Sequence, residues 1–269
     1  MIMNILIKLK FFLVVFCVLI LLSGCKKKDS NLSDNSQQNP STSVAAAANL
    51  RDVLGELKTV YLKEYPNKRL EITFGSSGSL AQQIMNGAPF DLFLSADKNF
   101  PERLRKGNKA VGSSEIYANG KVVLWSSKQD VTQGLDLLLN PKIRKIAIAN
   151  PQLAPYGKNM VDALIKSGIY HKIEHKIVWA ENINQAAQFA SSGNADVGFI
   201  ALSNAQNKNM KISGSFYILS NKECSPIAQS GILLKGQNTS AAKDFFDFIR
   251  GKEVQRIWER YGYETQTLK

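Results

Sequence analysis

Thr73-Phe74-Gly75-Ser76-Ser77-Gly78-Ser79-Leu80 is the stretch around which the chain is organised. On its amino side Leu70, Ile72 and Phe74 alternate with polar residues, the pattern of a strand. On its carboxyl side Leu80 and Ile84 stand four apart, the run continues to Met85, and Gly87 stops it, which predicts a short helix. Two glycines and three serines lie between. Such a strand–turn–helix leaves first-turn N–H groups and hydroxyls open at the positive end of a helix dipole, a place that holds anions. A single Gly/Ser turn is usually a plain cap, and only matching turns elsewhere in the chain would make an anion site of it.

Working outward, Val44 to Ala48 reads as a short strand, and Asn49 as the N-cap of a helix with Asp52 three residues on. That helix carries Leu50, Val53, Leu54, Leu57, Val60 and Tyr61 on one face and ends before Pro66. Asp91 to Ala96 is a further strand. Strands alternating with helices imply a parallel sheet covered on both sides, an α/β fold.

A second block of the same character begins near Lys121. Its expected strands are Val122–Trp125, Ile146–Ala149, Ile177–Trp179 and Val197–Leu202, with a short helix over Leu135–Leu139. Pro155-Tyr156-Gly157 opens a helix with Val161, Leu164 and Ile165 inward and a stop at Gly168. Glu181-Asn182-Ile183-Asn184 opens another, with Ala186, Ala187 and Ala190 inward. The tail repeats the character of the first block, with a strand at Ser230–Leu234, a helix over Ala241–Ile249, and a last helix built on Val254, Ile257, Trp258 and Tyr261. The expected division is therefore lobe 1 over 43–122, lobe 2 over 123–225, and a return segment of lobe 1 over 226–269.

Residues 1–24 read as a leader: Lys8 and Lys10 precede an apolar run from Phe11 to Leu22 that is too short to span a bilayer as a stable anchor. It ends in Leu22-Ser23-Gly24-Cys25, which resembles the bacterial lipoprotein signal, so Cys25 is the expected lipidation site and new amino terminus. Lys26, Lys27 and Lys28 beside it favour an anionic membrane surface. Residues 25–42 carry almost nothing apolar and read as a flexible tether. The formal net charge is +12, and +10 once Lys8 and Lys10 leave with the leader. That balance favours anionic partners, but no Lys/Arg stripe interleaved with aromatics marks a nucleic-acid face.

Chemistry-bearing residues are few. Cys17 leaves with the leader and Cys25 carries lipid, so Cys224 has no disulfide partner, and His171 and His175 are the only bases for a thiol mechanism. With Glu174 they have a metal-like spacing, yet they follow a helix stop and read as a solvated loop. Asp91 and Asp97 flank a strand near the expected cleft and read as partners of local backbone groups. Four turns, at Asn49, Ser77, Tyr156 and Ile183, then share one strand-to-helix design, and none has Lys, Arg or His at its tip. In α/β sheets ligands sit beyond the carboxyl ends of strands, where such helix starts converge. N–H donors together with the Ser77 and Tyr156 hydroxyls and the Asn49 amide would surround a dianion.

From Ser43 to Tyr263 the chain resembles the molybdate-binding proteins of bacterial molybdate ABC transporters, which are type II periplasmic solute-binding proteins. The motifs that carry the likeness are Ala46-Ala47-Ala48-Asn49-Leu50, Phe74 to Ile84, Gly87 to Asp97, Asn150-Pro151, Ala154-Pro155-Tyr156-Gly157, Ala180-Glu181-Asn182-Ile183 and Arg260-Tyr261-Gly262-Tyr263. The resemblance implies two lobes, each a mostly parallel sheet flanked by helices, with the ligand cleft between them. It implies molybdate or tungstate as ligand, no cofactor, no catalysis, a membrane permease as partner, and a monomer at the extracytoplasmic face. It further implies oxyanion contacts at Asn49, Ser77, Tyr156 and, through its backbone N–H, Ile183. Some relatives supply a tyrosine where this chain has Ala201, and the Tyr156 hydroxyl is the expected substitute donor. Sulfate binding, a transferase on the same architecture, and a ligand-free interaction lipoprotein are the competing readings.

Overall fold

A computed structural model describes residues 41–265 of the 269. The leader, Cys25 and the tether to residue 40 lie outside the described residues.

Two five-stranded sheets form, and the strand pattern explains their cores. The first contains β1 (Thr42–Ala47), β2 (Leu70–Gly75), β3 (Leu92–Ser95), β4 (Ala110–Gly120) and, from the tail, β10 (Ile227–Leu234), in the order β2-β1-β3-β10-β4. β1, β2 and β3 run parallel, and β10 is antiparallel to both β3 and β4. Successive side chains of β1 face opposite layers. Val44 and Ala46 pack with Leu50, Val53, Leu54 and Leu57 around α1 (Arg51–Glu64) and with Phe245 of α9 (Thr239–Phe248). Ala45 packs with Leu80, Ala81 and Ile84 of α2 (Ser77–Met85) and Leu104 of α3 (Asn99–Lys106). Each large apolar side chain so buried contributes roughly 1.5–3 kcal/mol.

The second sheet has the order β7-β6-β8-β5-β9, from β5 (Val122–Ser126), β6 (Ile146–Ala149), β7 (Ile177–Ala180), β8 (Val197–Ala201) and β9 (Ser215–Ile218). β7, β6 and β8 are parallel, while β5 runs antiparallel to β8 and β9. α4 (Pro155–Lys166) covers one face and α6 (Ile183–Ser191) the other. The chain passes from the first sheet to the second between Gly120 and Val122 and is back in the first by Ile227. Short α5 (Tyr170–Ile173), α7 (Leu202–Ala205) and α8 (Lys208–Ser213) lie within the second block, and α10 (Gln255–Arg260) closes the tail.

Several local expectations are revised. The inner face of α4 is Tyr156, Met160, Ala163 and Leu164, whereas Ile165 is exposed and Val161 only half-buried, because the register is set by the helix start at Pro155. Leu135–Leu139 belongs to a run of 3₁₀ turns, Val131–Leu139, interrupted by Gly134 at φ 58°. α3 and β4 are additions to the expected elements, since β4 mixes glycine, serine and exposed positions and pairs with β10 through irregular register. Among the described residues no helix is long and apolar enough to cross a membrane.

Candidate oxyanion-binding cleft

Asn49, Ser77, Tyr156 and Ile183 line one small cavity. It lies beyond the carboxyl ends of β1, β2 and β6, and both sheets contribute to its wall. Among the described residues lining it there is no Asp, Glu, Lys, Arg or His. A larger groove of about 690 Å³, with Phe90, Lys109 and Lys235 in its wall, opens at the amino ends of β1 and β3 and contains none of the four turns. Chemistry favours the smaller cavity, because several helix starts, at Asn49, Ser77, Tyr156 and Ile183, converge there, whereas the larger groove has the single start at Asn238.

Each turn leaves a particular donor free. At α2, Ser76 is the N-cap: its Oγ accepts from Ser79 N and donates to Ser79 Oγ at 2.7 Å. Gly78 N donates 2.8 Å to the carbonyl of Leu153 in the second lobe. The remaining first-turn N–H is that of Ser77. Ser77 Oγ accepts from Ala96 N at 3.0 Å, so its hydroxyl proton stays available for an acceptor in the cavity. At α6, Asn182 Oδ1 accepts from Asn184 N (3.0 Å) and Gln185 N (3.1 Å), which leaves Ile183 N–H. At α4 the first position is Pro155, which has no N–H, so Tyr156 and Gly157 present theirs. The α4 start presses on the end of β6 so closely that a Cβ on Gly157 would stand 1.9 Å from Ala149 O.

Asn49 departs from its expected role. It lies within a 3₁₀ turn, Ala48–Leu50, and makes no side-chain cap. Its Nδ2 donates to Gln229 Oε1 at 2.9 Å and to Tyr263 Oη at 2.8 Å, which uses both amide hydrogens. Its carbonyl accepts from Ser203 Oγ and Tyr263 Oη, each at 2.9 Å. The side chain therefore anchors the turn, and what Asn49 offers the cavity is its backbone N–H.

The Tyr156 hydroxyl also turns away from the expected position. Oη accepts from Gln229 Nε2 at 3.2 Å and lies over Gly120, where a Cβ would be 2.0 Å from it. Neither Gln229 nor Gly120 lines the cavity. Tyr156 lines the cavity, and its phenol oxygen is engaged by Gln229 behind it. Burial pushes the Tyr156 and Tyr117 phenols well above their ordinary range and Tyr263 up to about 12. These phenols stay neutral, so no negative charge arises behind an anion site.

The buried polar group of Gln229, Tyr263, Ser203 and Tyr117 escapes the sequence reading. A signal for it exists: Gln229 and Ser230 interrupt an otherwise apolar strand, a place where polar residues need partners. Asp97 accepts from Phe100 N and Ser95 Oγ and so serves local structure, whereas Asp91 accepts from Ser43 N and Asn238 N, 48 and 147 residues away, and ties distant segments together. His171 and Glu174 form an exposed 3.7 Å pair, and among the described residues no group of three or more His, Cys, Asp or Glu could hold a metal ion. Cys224 is buried against Asn159 Oδ1, and burial pushes its thiol up to about 12.

A family model of bacterial extracellular solute-binding proteins matches residues 42–264. The chain belongs to that family. Among its solute-binding relatives, the molybdate-binding protein of Rhodobacter capsulatus is 37% identical over 224 residues, covering 82% of this chain and 87% of the relative. The solved periplasmic molybdate-binding protein of Azotobacter vinelandii superposes with a TM-score of 0.79 at 34% identity, over 84% of this chain and all (100%) of that one. A Bacillus subtilis protein described as a putative ABC transporter substrate-binding lipoprotein is 26% identical over 264 residues, covering 96% of this chain and 99% of its own length. The two-lobed α/β solute-binding fold expected from sequence is the fold of this family member.

Proposed function

We propose that this protein captures molybdate, and with it the nearly isosteric tungstate, at the cavity between Ser77 and Ile183 and hands it to the permease of an ABC importer. What supports the reading is a cavity lined by Asn49, Ser77, Tyr156 and Ile183 and by no charged residue; the donors assigned to the anion are the N–H groups of those four residues and the Ser77 hydroxyl. A dianion there is held by hydrogen bonds to its charged oxygens, each stronger than a neutral one. The names of the relatives that cover most of the chain support molybdate as the ligand. The protein binds and releases its ligand without covalent chemistry. Cys25, as the lipidated residue, tethers a monomer at the extracytoplasmic membrane face, a reading that the lipoprotein relative supports.

A donor-only site discriminates by protonation. Phosphate carries a proton near neutral pH, and that proton would meet a donor instead of an acceptor. Calorimetry at pH 8 should give one-to-one binding of molybdate and tungstate, far tighter than phosphate. Equal affinity for phosphate refutes the reading.

A further inference from the structure

Gln229 stands in β10 opposite Ala118 of β4 and is wholly buried. A carboxamide in such a place is costly unless its polar ends are paired. Both are. Oε1 accepts from Asn49 Nδ2 at 2.9 Å and Tyr117 Oη at 3.3 Å, and Nε2 donates to Tyr156 Oη at 3.2 Å. Asn49 belongs to a turn of the first lobe and Tyr156 to a turn of the second, and both turns wall the cavity that Gln229 itself does not touch. Room for the junction comes from Gly120, where a Cβ would stand 2.5 Å from Gln229 Nε2 and 2.0 Å from Tyr156 Oη.

We infer that Gln229 is a positioning residue for oxyanion capture: its one carboxamide clasps the first-lobe turn at Asn49 to the second-lobe turn at Tyr156 when the lobes close. The inference rests on the proposed oxyanion site. The link to Asn49 lies within the first lobe, whereas the link to Tyr156 crosses between lobes; on this inference the crossing link is made on closure and given up on opening. A contact made in one state only shifts the balance toward that state, and ligand affinity follows the closed fraction. The carboxamide suits the task because one planar group supplies an acceptor for Asn49 and a donor for Tyr156. Because Gln229 does not touch the anion, its loss should weaken molybdate and tungstate by the same factor.

The test uses Gln229→Met, which keeps length and burial but removes both hydrogen-bonding ends, alongside Tyr156→Phe, which removes the acceptor of the interlobe link together with the phenol's contact to Tyr263. Kd values for molybdate and tungstate are measured by calorimetry below the melting range, and closure by small-angle X-ray scattering at one fixed sub-saturating molybdate concentration, where the variants should be less closed than the parent. Expected are a loss of about tenfold for Gln229→Met and about two- to tenfold for Tyr156→Phe, equal for the two anions. Because the two side chains share one link, the double mutant should bind about as well as Gln229→Met alone. Tyr156→Phe, which leaves the apolar packing in place, keeps the inference testable if Gln229→Met fails to fold. Parent-like Kd values in the folded variants, with only the melting temperature lowered, would overturn it and leave Gln229 as core structure. A parent that binds neither anion would instead sink the oxyanion site itself.

Discussion

Gly78→Ala separates closure from folding. Gly78 lies in the first turn of α2 and donates 2.8 Å to Leu153 O across the cleft. A Cβ on it would stand 3.0 Å from Leu153 Cα, 3.0 Å from Leu153 O and 3.0 Å from Phe100 Cζ. Phe100 is the tip of a side chain and can shift, but Leu153 meets the methyl with its backbone, so the lobes must part by a few tenths of an ångström. Lengthening the hydrogen bond forfeits part of its net 0.5–1.5 kcal/mol, roughly, and the tight contact adds to that from a range of about 1–3 kcal/mol. A total of about 2 kcal/mol corresponds to about thirtyfold in Kd. With the lobes apart the Leu153 contact is absent, and alanine is a better helix former than glycine by roughly 0.5–1 kcal/mol. The ligand-free protein should therefore melt within about 3 °C of the parent, or slightly above it, while molybdate binding weakens. Calorimetry and ligand-free thermal unfolding on the same sample read both signs. A variant that binds molybdate as tightly as the parent would refute the close approach of Gly78 and Leu153 in the closed state.

Ser77→Asp keeps an acceptor for Ala96 N but sets a carboxylate against a dianion, so calorimetry should detect no molybdate binding in a protein that still unfolds cooperatively. Ser77→Ala should retain binding at a cost of about 1.5–3 kcal/mol, with near-normal affinity there removing the hydroxyl from the donor set, and near-normal affinity in Ser77→Asp removing Ser77 from the site. Cys224, with its thiol pushed up to about 12, should resist iodoacetamide at pH 8 in the folded protein and react once unfolded, as mass spectrometry would record; rapid modification of the folded chain would contradict its burial. Cys25→Ser should abolish fatty-acid incorporation and release the protein from membranes on fractionation, and a variant that still takes up label would contradict lipidation at Cys25.

The two-lobed fold was legible because most of its strands are short apolar runs and β1, β2, β6 and β7 each lead to a helix start with its own punctuation. Ser76 and Asn182 cap as their residue types suggest, and Pro155 opens α4 where a missing N–H costs nothing. Which atoms face the cavity was not legible. Asn49 has the composition of an N-cap, yet long-range partners at Gln229 and Tyr263, 180 and 214 residues away, claim its side chain. Tyr156 likewise carries a hydroxyl at the right turn, and only the tertiary placement of Gly120 and Gln229 shows that it points elsewhere. Local pattern thus located the four turns, while the choice between backbone and side-chain donors depended on contacts that no local pattern records. The same holds for β4, whose glycine-containing, half-exposed sequence becomes a strand through pairing with β10.

The most direct test of the central claim is a crystal structure of the protein grown with tungstate, using the anomalous signal of tungsten to place the metal. A single peak should lie between Ser77 and Ile183, with the oxyanion oxygens within about 2.7–3.2 Å of the backbone nitrogens of Asn49, Ser77, Tyr156 and Ile183 and of Ser77 Oγ. A peak in the groove beside Lys109 and Lys235, with the cavity between the lobes holding only water, would contradict it.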